Sequence, residues 1–199
     1  MEKNSRVNDC DALIIGGSAG SLEVLLAVLP DLVSPMAFPI IIVTHRKPGN
    51  DNVLTTLFTT KTRLKVLDIE EKQPILAGNI YLAPSDYHLL FEIDHTFSLD
   101  HSERVNYSRP SIDVAFQSAA EVYGRGLIAI LLSGANIDGV EGLKKIKQFG
   151  GAVCIQNPET AIVPYMPAQA ASAMQIDHIL EKNNIAEFIN QLSKNRENE

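Results

Sequence analysis

The sequence predicts a doubly wound α/β fold, with a mostly parallel sheet covered by helices on both faces and an antiparallel edge excursion. Three observations predict it. Residues 12–15, 39–43 and 127–132 are apolar runs without polar alternation, the pattern of strands buried on both faces. Stretches of helical spacing separate many of these runs, so strand and helix alternate. A middle stretch, residues 79–100, carries short strand signals broken by Gly78-Asn79, Pro84-Ser85-Asp86 and Asp94-His95, the punctuation of a meander.

Taken in order, residues 12–15 form a first strand, and residues 22–29 a helix stopped before Pro30. Residues 39–43 form a second strand. A helix over 52–59 carries Val53, Leu54, Leu57 and Phe58, and a third strand lies at 64–67. The meander is expected at 79–83, 87–92 and 96–99. A helix over 111–123 starts at Pro110-Ser111 and ends before Gly124. A strand at 127–132 precedes a helix over 140–149 that presents Leu143, Ile146 and Phe149 and closes at Gly150-Gly151. A strand at 152–155, a short helix at 167–174 and a last helix at 185–192 complete the chain. One domain over residues 10–193 is expected, with polar, flexible tails at 1–9 and 194–199.

Composition narrows the class. At 199 residues, with 45% hydrophobic and 21% charged residues, the chain suits one core of ordinary size. No apolar run approaches the roughly 20 residues of a membrane span, so no membrane insertion is expected. A net charge of −7 argues against a nucleic-acid footprint. Cys10 and Cys154 read as reduced packing residues of a cytoplasmic protein.

Ligands of an open α/β sheet bind beyond the carboxyl ends of the strands. Three strand ends there offer Ser18, His45 and Asp138, the parts of a nucleophile, its general base and the carboxylate that orients the base. Gly16-x-Ser18-x-Gly20 lies between a strand and a helix, as a nucleophile elbow does. The same glycine-rich turn also suits a phosphate-cradling loop, and from these residues alone both readings stand. His45 lies 27 residues after Ser18, one strand-helix-strand unit on. Asp138 also fits a helix N-cap. His88 and His178 read as packing or surface residues, and His95 and His101 as solvated. No spacing matches a metal-ligand signature, so no metal and no cofactor is expected.

In combination these segments resemble the catalytic domain of the CheB family, the chemotaxis protein-glutamate methylesterases, over about residues 12–180. The resemblance rests on Ile14-Ile15-Gly16-Gly17-Ser18-Ala19-Gly20, on Val43-Thr44-His45 with Pro48-Gly49, and on Gly78-Asn79-Ile80-Tyr81-Leu82-Ala83-Pro84. It rests also on Arg109-Pro110-Ser111-Ile112-Asp113-Val114-Ala115-Phe116, on Leu131-Leu132-Ser133-Gly134-Ala135-Asn136-Ile137-Asp138-Gly139, and on Tyr165-Met166-Pro167. It implies a Ser18–His45–Asp138 triad that hydrolyses glutamyl methyl esters on the cytoplasmic helices of chemoreceptors, and that deamidates receptor glutamines in related members. Ala19, Ala135 and Arg109 are the candidate oxyanion and pocket residues, with the backbone of Gly134-Ala135 as a donor. The chain departs from the family pattern at Ala19 (usually Thr), Ser21 (usually Gly), Arg46 (usually Met) and Ala135 (usually Met). Only about ten residues precede the first strand, so the receiver domain common in the family is not expected here. Two other readings are open: a weakly catalytic scaffold module of this fold, and a nucleotide-binding α/β domain. Recognition of an acidic receptor helix would be local, through Arg46, Lys47 and Arg109.

Overall fold

The computed structural model describes residues 10–46 and 51–197. The strands among the described residues, in chain order, are β1 (Ala12–Gly17), β2 (Ile40–Thr44), β3 (Lys65–Asp68), β4 (Asn79–Leu82), β5 (His88–Phe91), β6 (Phe97–Asp100), β7 (Leu127–Leu131), β8 (Ala152–Gln156) and β9 (His178–Leu180). Seven form one parallel sheet in the order β3-β4-β2-β1-β7-β8-β9. From β1 the chain builds outward through β2 to one edge, then returns to place β7 on the other side of β1. That reversal is the topological switch point, where an α/β sheet opens a crevice for its ligand.

The four central strands, β2, β1, β7 and β8, are buried on both faces, as the unbroken apolar runs require. Successive side chains alternate between two cores. Leu13, Ile15, Ile40 and Ile42 face Leu25 and Val28 of α1 (Ser21–Val28) and Ile185 and Ile189 of α6 (Ile185–Glu197). Ile14, Ile41 and Ala129 face Ile112 and Phe116 of α3 (Ile112–Tyr123), Leu143 of α4 (Val140–Gln148) and Met166 of α5 (Tyr165–Ala173). A further helix, α2 (Asp51–Thr59), adds Phe58 to the first core.

The antiparallel excursion is present but shorter than expected. Asn79–Leu82 pairs in parallel with β2 and β3 inside the main sheet. Only β5 and β6 run antiparallel, as a separate two-stranded sheet with Phe91 opposite Phe97. This hairpin packs on α3, where the Ser118 hydroxyl accepts a hydrogen bond from the Phe91 amide at 2.8 Å. Residues 69–78 carry the chain from β3 to β4 without a helix. They are held by the Tyr81 hydroxyl, which donates to Pro74 O and accepts from the Leu76 amide. Helix α6 runs past its expected end, so residues 194–197, expected as tail, are helical. Arg196 there reaches back to Asp11 and the Cys10 carbonyl. Residues 1–9 and 198–199 lie outside the described residues.

Helices α3 and α4 meet at Gly142. A Cβ there would lie 2.5 Å from Phe116 Cβ and 3.2 Å from the Asp113 backbone. Gly142→Ala is therefore expected to lower stability by about 1–3 kcal/mol, read from a urea melt, because neither neighbour can withdraw without moving a helix.

Candidate active site

Ser18 stands where β1 ends. Its amide donates to Ser133 O at 2.9 Å, and its carbonyl accepts from the Ser21 amide and hydroxyl at 3.0 and 2.7 Å. These bonds pin the turn and leave the side chain half-buried at the sheet edge. The flanking glycines are steric requirements. A Cβ on Gly16 would sit 2.6 Å from Ile112 Cγ2, and Gly20 adopts a φ of +84°, which favours glycine.

His45 follows β2. The parallel register pairs Gly17 with Thr44, so the next residue of each strand is brought alongside the other. His45 Nδ1 lies 3.2 Å from Ser18 Oγ, and Nε2 lies 2.8 Å from Asp138 Oδ2. A carboxylate can only accept, so Nε2 carries the ring proton and Nδ1 is free to accept from the serine hydroxyl. In the chymotrypsin-type triad the two nitrogens are exchanged, but the chemistry needs only that the proton sit on the carboxylate side.

Asp138 is fully buried in the loop before α4. Its Oδ1 accepts from the Ser111 hydroxyl at 2.8 Å and the Asp113 amide at 2.9 Å, while Oδ2 accepts from the Ile112 amide at 2.7 Å as well as from His45. Those amides are orphan donors at the start of α3, so the candidate triad carboxylate also caps a helix. Burial pushes the Asp138 carboxyl up, but hydrogen bonds from His45, Asp113, Ile112 and Ser111 outweigh it and hold it below the usual carboxylate value. Ser111 is itself fixed: its amide donates to His88 Nδ1 at 3.1 Å, and His88 Nε2 donates to Glu103 O at 2.9 Å. His88, expected as a packing or surface residue, is buried and hydrogen-bonded.

A second buried carboxylate lies beside the first. Asp113 Oδ1 accepts from the Gly139 and Gly142 amides at 2.8 and 2.7 Å, and Asn106 Nδ2 approaches Oδ2 at 3.3 Å. Burial, with the charge of Asp138, pushes the Asp113 carboxyl up to about 6, against the pull of the two amides. Sequence reasoning did not assign roles to Ser111 and Asp113. The available signal was Ser111-Ile112-Asp113 itself, two short acceptors in the first turn of a helix.

The remaining expected residues separate. Ala19 and Ala135 are exposed at the strand-end edge, Ala19 directly after Ser18. The Gly134 amide is engaged with Val163 O at 3.1 Å, which withdraws it as a free donor. Arg109 does not line the groove beside Ser18. Its guanidinium donates to Asp86 Oδ1 at 2.8 and 3.2 Å and to the carbonyls of His101 and Ser102, bracing the segment between β6 and α3. Arg46 lines the groove and donates to Ala83 O. Lys47 lies outside the described residues. The groove, about 460 Å³, opens on Ser18 and His45 and is otherwise walled mainly by Leu22, Leu25, Val53, Leu54 and Leu57. Among the described residues no helix is long and apolar enough to cross a membrane, and no three His, Cys, Asp or Glu side chains are grouped to hold a metal. The thiols of Cys10 and Cys154 are buried and held protonated by burial.

Comparison with known proteins gives a consistent result. The family model described as CheB methylesterase matches residues 13–189. A Leptospira interrogans protein, named as a candidate protein-glutamate methylesterase/protein-glutamine glutaminase, is 43% identical over 185 residues, covering 93% of this chain and 96% of that protein. The Thermotoga maritima protein-glutamate methylesterase/protein-glutamine glutaminase is 32% identical over 183 residues. That match covers 90% of this chain but 53% of the relative, so the chain spans about half the length of such proteins. The crystal structure of the Thermotoga maritima CheB methylesterase catalytic domain superposes with a TM-score of 0.89 at 31% identity, covering 92% of this chain and 98% of that one. By sequence and by fold, the chain belongs to the CheB methylesterase family.

Proposed function

We propose that the chain is a cytoplasmic serine hydrolase that removes methyl groups from glutamyl methyl esters on the cytoplasmic helices of chemotaxis receptors, and deamidates receptor glutamines at the same site. The observation that carries this reading is His45 bridging Ser18 and the buried Asp138 at 3.2 and 2.8 Å. Ser18 Oγ attacks the ester carbonyl and gives its proton to His45 Nδ1. Asp138 stabilises the resulting imidazolium through Nε2–H. The tetrahedral intermediate collapses, His45 returns the proton to the departing methoxide, and methanol leaves an acyl-serine. Water, deprotonated by His45, then releases the glutamate; with a glutamine substrate the leaving group is ammonia. The Ala19 and Ala135 amides are the oxyanion donors of this reading, each worth about 3–4 kcal/mol. The catalytic unit spans residues 10–193, with α6 continuing beyond it to Glu197.

The experiment is methanol release from methylated receptor, with Ser18→Ala as the control; release that persists in that variant overturns the reading. The groove supplies a separate expectation. With a net charge of −7 the chain has no general attraction for an acidic helix, and the wall beside Ser18 is apolar. Changing the exposed Leu22 and Val53 to Asp is expected to raise KM for the receptor about ten-fold, with KM for a small acyl ester far less affected. Steady-state kinetics on both substrates checks it.

A further inference from the structure

Building on the triad reading above, we propose that Asp113 is a positioning residue of the reaction: its carboxylate holds the segment after Asp138 so that Asp138 stays aimed at His45. The geometry is reciprocal. The Asp113 amide donates to Asp138 Oδ1 at 2.9 Å, and Asp113 Oδ1 accepts from the Gly139 and Gly142 amides at 2.8 and 2.7 Å. Asp138 therefore caps α3, the helix that carries Asp113, and Asp113 caps α4, the helix that follows Asp138, so α3 and α4 are tied start to start.

The backbone of the Asp138 loop is otherwise held by short-range bonds, the Asp138 amide to Asn136 Oδ1 and the Val140 amide to Ile137 O, both at 3.3 Å. Gly139, the N-cap of α4, has no side chain to cap with and adopts a φ of +99°. Without Asp113 the Gly139 and Gly142 amides lose their acceptor in a buried place, and the loop would turn to find another. Asp138 Oδ2 would then move relative to His45 Nε2. The groups that face Asp113 are Asp138 from this loop and Asn106 from the segment between β6 and α3. Two buried carboxylates in contact repel, and burial together with the charge of Asp138 raises the Asp113 carboxyl. What the side chain supplies here is one acceptor that spans two buried amides.

The test compares Asp113→Ala and Asp113→Asn with the wild type in kcat, KM, melting temperature and the proton NMR signal of His45 Nε2–H. Alanine removes the acceptor; asparagine keeps a carbonyl oxygen in its place. Asp113→Ala is expected to lower kcat about 30- to 100-fold with KM within three-fold, and to shift or broaden the Nε2–H signal. Asp113→Asn is expected to recover at least ten-fold of the lost kcat and the wild-type signal. Unchanged kcat in Asp113→Ala, or equal losses in both variants, overturns the proposal. If Asp113→Ala does not fold, the signal in Asp113→Asn decides: wild-type position supports the role and its loss overturns it. A wild type that releases no methanol defeats the esterase reading, while the NMR comparison still tests the placement of Asp138.

Discussion

Ser18→Ala is expected to lower methanol release from methylated receptor by at least about 10⁴-fold and to leave the melting temperature essentially unchanged. The two halves of this expectation have separate causes. Covalent catalysis ends with the hydroxyl, since among the described residues Ser18 Oγ is the side-chain partner of His45 Nδ1. The fold is indifferent because the bonds that shape the turn come from the Ser18 backbone: its amide to Ser133 O and its carbonyl to Ser21. A single-turnover assay beside a thermal melt separates the two. A large drop in melting temperature would mean that the hydroxyl carries part of the turn.

Asp138→Asn is expected to damage both catalysis and stability. The side-chain amide can donate to His45 and so favour the wrong tautomer, a change worth about 10⁴-fold in kcat in a comparable triad. It also places a donor where the Ile112 and Asp113 amides and the Ser111 hydroxyl seek acceptors. Leaving one such buried group unpaired costs about 1–3 kcal/mol. The pH dependence follows from direction. The folded-state value of Asp138 lies below its unfolded value near 3.8, so its ionised form contributes stability above that pH and loses it as pH falls through the folded value. The deficit of Asp138→Asn against wild type should therefore be full at neutral pH and shrink towards pH 3. Asp113 runs the other way. Its folded value of about 6 lies above the unfolded one, so wild-type stability from this group falls as pH rises from about 4 to 6. Asp113→Asn should gain on wild type across that window. Melting curves of the three proteins from pH 3 to 8 check both signs.

Much of this was legible in the sequence because the rule used was topological. Parallel strands put their carboxyl ends on one edge, so Ser18, His45 and Asp138 could be selected as a group before any contact was known. The structure brings those side chains within hydrogen-bonding reach. The failures have local physical reasons. Asn79–Leu82 read as the start of a meander because no helix separates it from β3, whereas a parallel neighbour usually arrives by one. Strand β9 has three residues and an exposed Ile179, too little pattern to read as a strand. Helix α6 outlasts its apolar periodicity because Arg196 is secured by Asp11 and the Cys10 carbonyl, far away in sequence. Arg109 looked like a pocket residue because it opens the Arg109–Phe116 stretch that carries the family resemblance, but a guanidinium with Asp86 and two carbonyls in reach is held by them. The cross-capping of Asp113 and Asp138 joins residues 25 apart through backbone amides, and side-chain identity carries little trace of it.

The register of β1 against β2 has a consequence for how the protein is inactivated. Gly17 opposite Thr44 fixes the spacing of the nucleophile and its base by main-chain ladder bonds, and the loop carrying Asp138 is fastened to the starts of two core helices. Among the described residues, the three groups sit on the ends of β1 and β2 and on the loop before α4, already within hydrogen-bonding reach. Heating should therefore show no range in which the chain stays folded with its serine already unreactive. Labelling of Ser18 by an organophosphonate should vanish in the same transition as the far-ultraviolet dichroism, one midpoint for both signals.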